Sequence, residues 1–150
     1  MQVQRTSRRI IKALDPIYDA LDPIAYPMIR FVAGVMMIPH GYGKVFGGIE
    51  GTTKFFASVG LEPALILAWY IGLLELVGGI CVALGFLTRF MSAQLIGLLA
   101  VATFYIHLPS GFIWVKGGYE YPLFWMVVMM AITIKGGDKL SLDNLMAKEF

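Results

Sequence analysis

The stretch ALILAWYIGLLELVGGICVALGFLTR, residues 64–89, is apolar from Ala64 to Phe86 except for one charged residue near its middle, Glu75. About 20 such residues cross the hydrocarbon core of a bilayer, so the run predicts a transmembrane helix over 64–86. A carboxylate at that depth costs about 3 kcal/mol on insertion scales and marks a functional site by default. Helical spacing puts Ala68, Gly72, Glu75, Gly79 and Ala83 on one face. Small residues let helix backbones approach closely in lipid, so this face, and Glu75 with it, is expected to meet other helices.

Composition extends this reading to the whole chain. Of 150 residues 58% are hydrophobic and 15% charged, against roughly 25% charged in soluble domains. The mean hydropathy is +0.73. Both numbers predict a polytopic membrane protein, and the length suits one all-α bundle of four transmembrane helices with short loops. The basic residues behind the net charge of +2 do not gather into one patch, so no nucleic-acid partner is expected. The single cysteine, Cys81, lies inside the predicted span and reads as a small apolar side chain, with no disulfide or redox pair open to it.

Toward the N-terminus, residues 1–22 carry Arg5, Arg8, Arg9 and Lys12 and read as a cytoplasmic or interfacial segment without the pattern of a cleavable signal peptide. LDPI occurs at 14–17 and again at 21–24. Aspartate caps helices and proline fits a first turn, so each Asp-Pro reads as a helix start, with Asp22 capping the first span. The membrane domain then covers 23–143, with spans expected at about 24–46, 64–86, 90–108 and 120–135, and 144–150 as a cytoplasmic tail. Span 1 aligns Arg30, Ala33, Met37, His40 and Lys44 on one face, broken by Pro39. Residues 47–63 read as a loop closed by the helix-start signal GLEP, 60–63. Span 3 presents Ala93, Gly97, Ala100, Thr103 and His107. Span 4 opens with Glu120 and Pro122, and Gly136-Gly137 ends it. Lysine and arginine bias places both termini in the cytoplasm. Trp69, Trp114 and Trp125 near span ends suit interfacial belts.

Depth at 1.5 Å per residue brings five ionisable groups into the outer half of the bundle. Glu75 lies about 16 Å below the outer surface, His40 about 11 Å and Lys44 about 5 Å, with His107 and Glu120 close to the surface. Arg30 and Arg89 fall near the inner face, as interfacial anchors. A polar pocket built from His40, Lys44, Glu75, His107 and Glu120 suits three uses: holding a quinone-like head group with His40 and Glu75 as its proton-bearing centre, passing protons or a small solute, or locking four helices together. Bis-histidine haem fits poorly, because His40 and His107 differ in depth by about 9 Å. A metal site of these histidines with Glu75 or Glu120 lacks a ligand-spacing signature, so no metal is assigned. No nucleophile elbow, phosphate loop or dinucleotide motif is present.

Arg30 with HGYGKVFGG (40–48), VGLEP (59–63), LLELVGGICVALGFLTR (73–89), His107 with Gly111-Phe112, Glu120 and GGDKLSLD (136–143) together resemble the DoxX family of small four-helix bacterial membrane proteins. The resemblance covers about 30–143. It implies a multi-pass protein of the bacterial inner membrane. It also implies an accessory role beside a redox protein partner, in quinol oxidation, thiosulfate:quinone chemistry or an oxidative-stress complex, more than a stand-alone enzyme. A small-solute or proton carrier, and a scaffold recruiting a soluble partner through the basic N-terminus, are the other functions to weigh. The small-residue stripes suit packing within one bundle or between the protomers of a homo-oligomer.

Overall fold

The computed structural model describes residues 9–146; Arg5, Arg8 and Lys148 of the predicted cytoplasmic charge set lie outside the described residues. No strand occurs among them. The chain builds α1 (Asp15–Gly47) and a short α2 (Ile49–Ser58). These are followed by α3 (Ala64–Leu84), α4 (Thr88–Ser110), α5 (Glu120–Lys135) and a single turn, α6 (Leu142–Leu145). α1, α3 and α4 are long and apolar enough to cross a membrane. At 16 residues α5 is about 24 Å long, and its bounds are those of the helix expected at 120–135.

Two expectations about the N-terminal half are corrected. Asp22 caps nothing: the helix begins at Asp15, and the second LDPI lies inside it with Pro23 and Pro27. Proline's fixed φ is helical, so each ring removes a backbone hydrogen bond without reversing the chain. Arg9 grips this entry turn, with Nη1 2.8 Å from the Asp19 carboxylate and 3.3 Å from that of Asp15. Likewise, 47–63 is not all loop. Thr52 and Thr53 donate their hydroxyls to the carbonyls of Gly48 and Ile49, one turn back, and α2 packs on the start of α3.

The small-residue face of α3 meets α1 along its length. A Cβ added at Gly34 would stand 2.8 Å from Ala83 Cα, and one at Gly41 2.8 Å from Leu76 Cα. Position 34 is thus opposite 83 and position 41 opposite 76, so the two helices run antiparallel in backbone contact. Ala68, Gly72, Glu75, Gly79 and Ala83 are all buried. α5 packs antiparallel on α4, and Leu95, Met129 and Ile132 fill the core with Val82 and Ala33. Trp125 belongs to this core and not to an interfacial belt. Phe31, Val35, Leu65, Ile66, Leu73, Val77, Ile80 and Phe104 project outward. An apolar exterior of this extent is stable in lipid and not in water.

One end of the bundle is tied by the segment after α5. α3 stops at Gly85 in the left-handed region (φ 72°), with the Phe86 N–H reaching the Cys81 carbonyl at 2.8 Å. Leu87 (φ 47°) follows, and α4 begins. Its first N–H groups are satisfied by Asp143. That carboxylate accepts from Leu87 N–H (2.7 Å), Thr88 N–H (3.0 Å) and Thr88 Oγ1 (2.6 Å), and Asp143 N–H returns a bond to the Gly85 carbonyl (2.8 Å). Arg30 is not an interfacial anchor: it is 3% exposed and donates to the carbonyls of Leu140 (2.6 Å) and Val82 (3.3 Å). Arg89 donates to Thr133 and Ile134 at the end of α5, and Tyr26 Oη to the Gly136 carbonyl. The segment after α5, residues 136–143, therefore ties α1, the end of α3 and the start of α4 together.

Candidate functional site

The opposite end holds a cavity of about 1170 Å³. α1 contributes His40 and Lys44, α3 Glu75 and Tyr70, and α4 Gln94 and His107. Phe55 and Phe56 of α2 close one side, and Trp114 and Tyr121 another. Most other lining residues are aliphatic, among them Met37, Leu67, Leu74 and Leu98.

At the cavity wall Lys44 Nζ lies 2.6 Å from Glu75 Oε2. Glu75 is 6% exposed. Its backbone belongs to a widened π-helical turn, Leu74–Gly78, between two ordinary α-helical segments of α3. Such bulges recur at functional sites, because the extra residue re-aims the side chains of one turn. α4 has a second π-helical stretch, Val101–His107, beside the same cavity. Two of the helices that line the cavity, α3 and α4, are therefore widened along part of its wall.

The carboxylate's partner is Lys44, where the depth estimate favoured His40. Side chains on a helix lean toward its N-terminus. α1 and α3 are antiparallel, so the Lys44 stem runs back toward Glu75 and Glu75 leans toward Lys44. Lys44 Cβ is level with Gly72, one turn from Glu75: a Cβ added at Gly72 would stand 3.3 Å from it. Alpha-carbon depths ignore both leanings. His40 lines the cavity and sets its ring 6.4 Å from that of Tyr121.

His107 is also on the cavity, with Nδ1 2.7 Å from the Gly117 carbonyl. Glu120 is not a lining residue. Its Oε2 accepts the Trp114 N–H at 3.2 Å, and its own N–H bonds the Phe112 carbonyl at 3.0 Å. It braces the 111–119 loop that presents Trp114. Gly118 is required in that loop, since a Cβ there would fall 2.6 Å from Phe112 C. Sequence reasoning passed over Tyr70 and Gln94, whose side chains join at 2.9 Å across the cavity mouth between α3 and α4. A primary amide inside an apolar span was the available signal for Gln94. Among the described residues, no three His, Cys, Asp or Glu side chains assemble as a metal-holding group.

A mostly apolar cavity between membrane-length helices, with one ion pair and a few polar groups in its wall, is that of a membrane protein. The comparisons narrow the class. The family model DoxX matches residues 26–108, and this chain belongs to the DoxX family. It is 30% identical over 121 residues to the protein named "Putative oxidoreductase CatD" of Bacillus subtilis, covering 81% of this chain and 86% of that one. Two uncharacterized proteins of Haemophilus influenzae are 35% identical over 83 residues and 28% identical over 130 residues. The first match covers 55% of each chain; the second covers 85% of this chain and 94% of its relative. No solved structure matches.

Proposed function

We propose that this protein is a four-span, multi-pass protein of the bacterial inner membrane with both termini cytoplasmic, serving as an accessory subunit of a quinone-linked redox system. The observation that carries this is the Lys44–Glu75 pair set in the wall of a mostly apolar cavity between membrane-length helices. The oxidoreductase name of the Bacillus subtilis relative gives the redox direction.

The residues present fit a quinone-type head group. The cavity offers apolar walls for a ring and tail, and one donor and one acceptor side by side for a ring oxygen. When bound, such a molecule supplies two-electron, two-proton chemistry. Lys44 donates a hydrogen bond to an oxygen brought alongside it. Glu75, adjacent and nearly enclosed, accepts a proton from a ring hydroxyl, and the Lys44 charge stabilises the carboxylate that releases it. Trp114 and Tyr121 wall the cavity on one side, and His107, on the same cavity, is a group that exchanges protons with the outer surface. Phe55 and Phe56 of α2 add apolar wall on another side.

The test is extraction of the mildly solubilised protein, with native mass spectrometry before and after incubation with a lipophilic quinone. We expect near-stoichiometric quinone on the native sequence, and loss of it in Lys44→Met and Glu75→Gln variants that still fold. A protein that neither carries nor takes up quinone rejects the reading. Solute uptake in proteoliposomes that disappears in Glu75→Gln would put a carrier in its place.

A further inference from the structure

The cavity has a second polar pole. Tyr70 Oη donates to Gln94 Oε1 at 2.9 Å, and both side chains line the cavity. The Gln94 amide nitrogen has only the Met91 sulfur, at 3.9 Å, as a partner among the described residues. A thioether is a weak acceptor, and a primary amide in an apolar span is costly to leave underused. Tyr70 lies five positions before Glu75 on the same helix, about 7 Å along its axis, and Ile71 and Leu74 line the wall between them. The Ala64–Leu73 half of α3 stands off from α4 here, so the Tyr70–Gln94 bond bridges a gap that packing does not fill.

We infer that Tyr70 and Gln94 form a second binding subsite, which takes the far oxygen of a ring ligand whose near oxygen meets Lys44 and Glu75. The inference rests on the quinone reading above and adds to it a substrate class: lipophilic rings carrying two oxygens on opposite sides. Each pole holds a donor and an acceptor. The amide N–H of Gln94 meets a carbonyl oxygen, and the remaining lone pairs of Tyr70 Oη and Gln94 Oε1 meet a hydroxyl. The subsite therefore engages the ligand in both its oxidised and reduced forms. Single-oxygen amphiphiles occupy the first pole alone.

The test compares two ligands of equal tail length on the protein in nanodiscs under reducing conditions: an alkyl-tailed para-hydroquinone and the corresponding alkyl-tailed phenol. The native sequence should bind the hydroquinone about tenfold more tightly, the contribution of one or two good hydrogen bonds. Gln94→Leu should remove that preference and leave phenol affinity unchanged. Tyr70→Phe, which keeps the ring and the packing, should reduce the preference severalfold and carries the test if Gln94→Leu does not fold. Binding that falls in Glu75→Gln but keeps its full hydroquinone preference in both subsite variants overturns the second pole while leaving the quinone reading intact. Absence of binding of either ligand to the native protein overturns both.

Discussion

Polar side chains gather at both ends of this bundle, but they are partnered in different ways. At the end carrying residues 85–88 and 136–143, Arg30 and Asp143 are buried against backbone groups of distant segments. At the cavity end, Lys44 and Glu75 have each other, and beyond them lies open volume. A charge bonded to backbone N–H and C=O groups cannot be exchanged for an apolar side chain, because the backbone groups stay behind unpaired. A charge bonded to another side chain can, provided both are replaced. The first arrangement holds a fold; the second can give way to a well-packed apolar pair at little cost.

This contrast is open to direct tests. The largest effect is expected at Asp143→Ala, which orphans two backbone N–H groups and a hydroxyl at the start of α4. Thermal melting in detergent should report a loss of about 4 kcal/mol, and Asp143→Asn should recover part of it. Melting close to the native protein would remove the clamp from the account of stability. Next comes the cavity pair. Lys44→Met alone should destabilise by about 3 kcal/mol, because it leaves a buried carboxylate uncompensated, whereas Lys44→Met with Glu75→Leu should return to within about 1 kcal/mol of the native protein while losing ligand. A matching Asp143→Ala, Thr88→Ala double variant should show no such recovery. If the two cycles behave alike, the two ends are not different in kind.

Smaller effects sharpen the picture. Glu120→Gln keeps an acceptor for Trp114 N–H but removes its charge, at about 1 kcal/mol. Hydrogen exchange should rise across 111–119 and remain unchanged in the core helices. Asp138→Asn should be smaller still. The Lys139 N–H, helped by the Lys135 ammonium 3.3 Å away, holds the Asp138 carboxyl below its ordinary value of 3.8. Its stabilising contribution is therefore present above that value and is lost as pH falls through the depressed one. The native protein should lose slightly more melting temperature than Asp138→Asn over that acid step.

Much of this was legible in local sequence. The apolar run with Glu75 and its small-residue face predicted both the α3 helix and its buried side, since one helix's periodicity carries that information. Four of the five expected pocket residues, His40, Lys44, Glu75 and His107, line one cavity. What escaped depends on positions far apart in the chain or on side-chain direction. Asp143 caps a helix that starts 55 residues earlier, and no local window joins them. The pairing of Glu75 with Lys44 follows from opposed side-chain leanings on antiparallel helices, which depth alone does not carry. α2 was hidden by Gly47, Gly48, Gly51 and two threonines, residues that favour loops until the hydroxyls bond back to the preceding turn.

The capping of α4 by Asp143 also orders assembly in time. During synthesis the α3–α4 hairpin enters the membrane with the first amides of α4 still lacking their acceptor, and the acceptor arrives only after α5 has been made. The bundle's stability is thus completed by the last helical turn among the described residues. A chain released before α5 and the segment after it are made keeps the hairpin but not the lock.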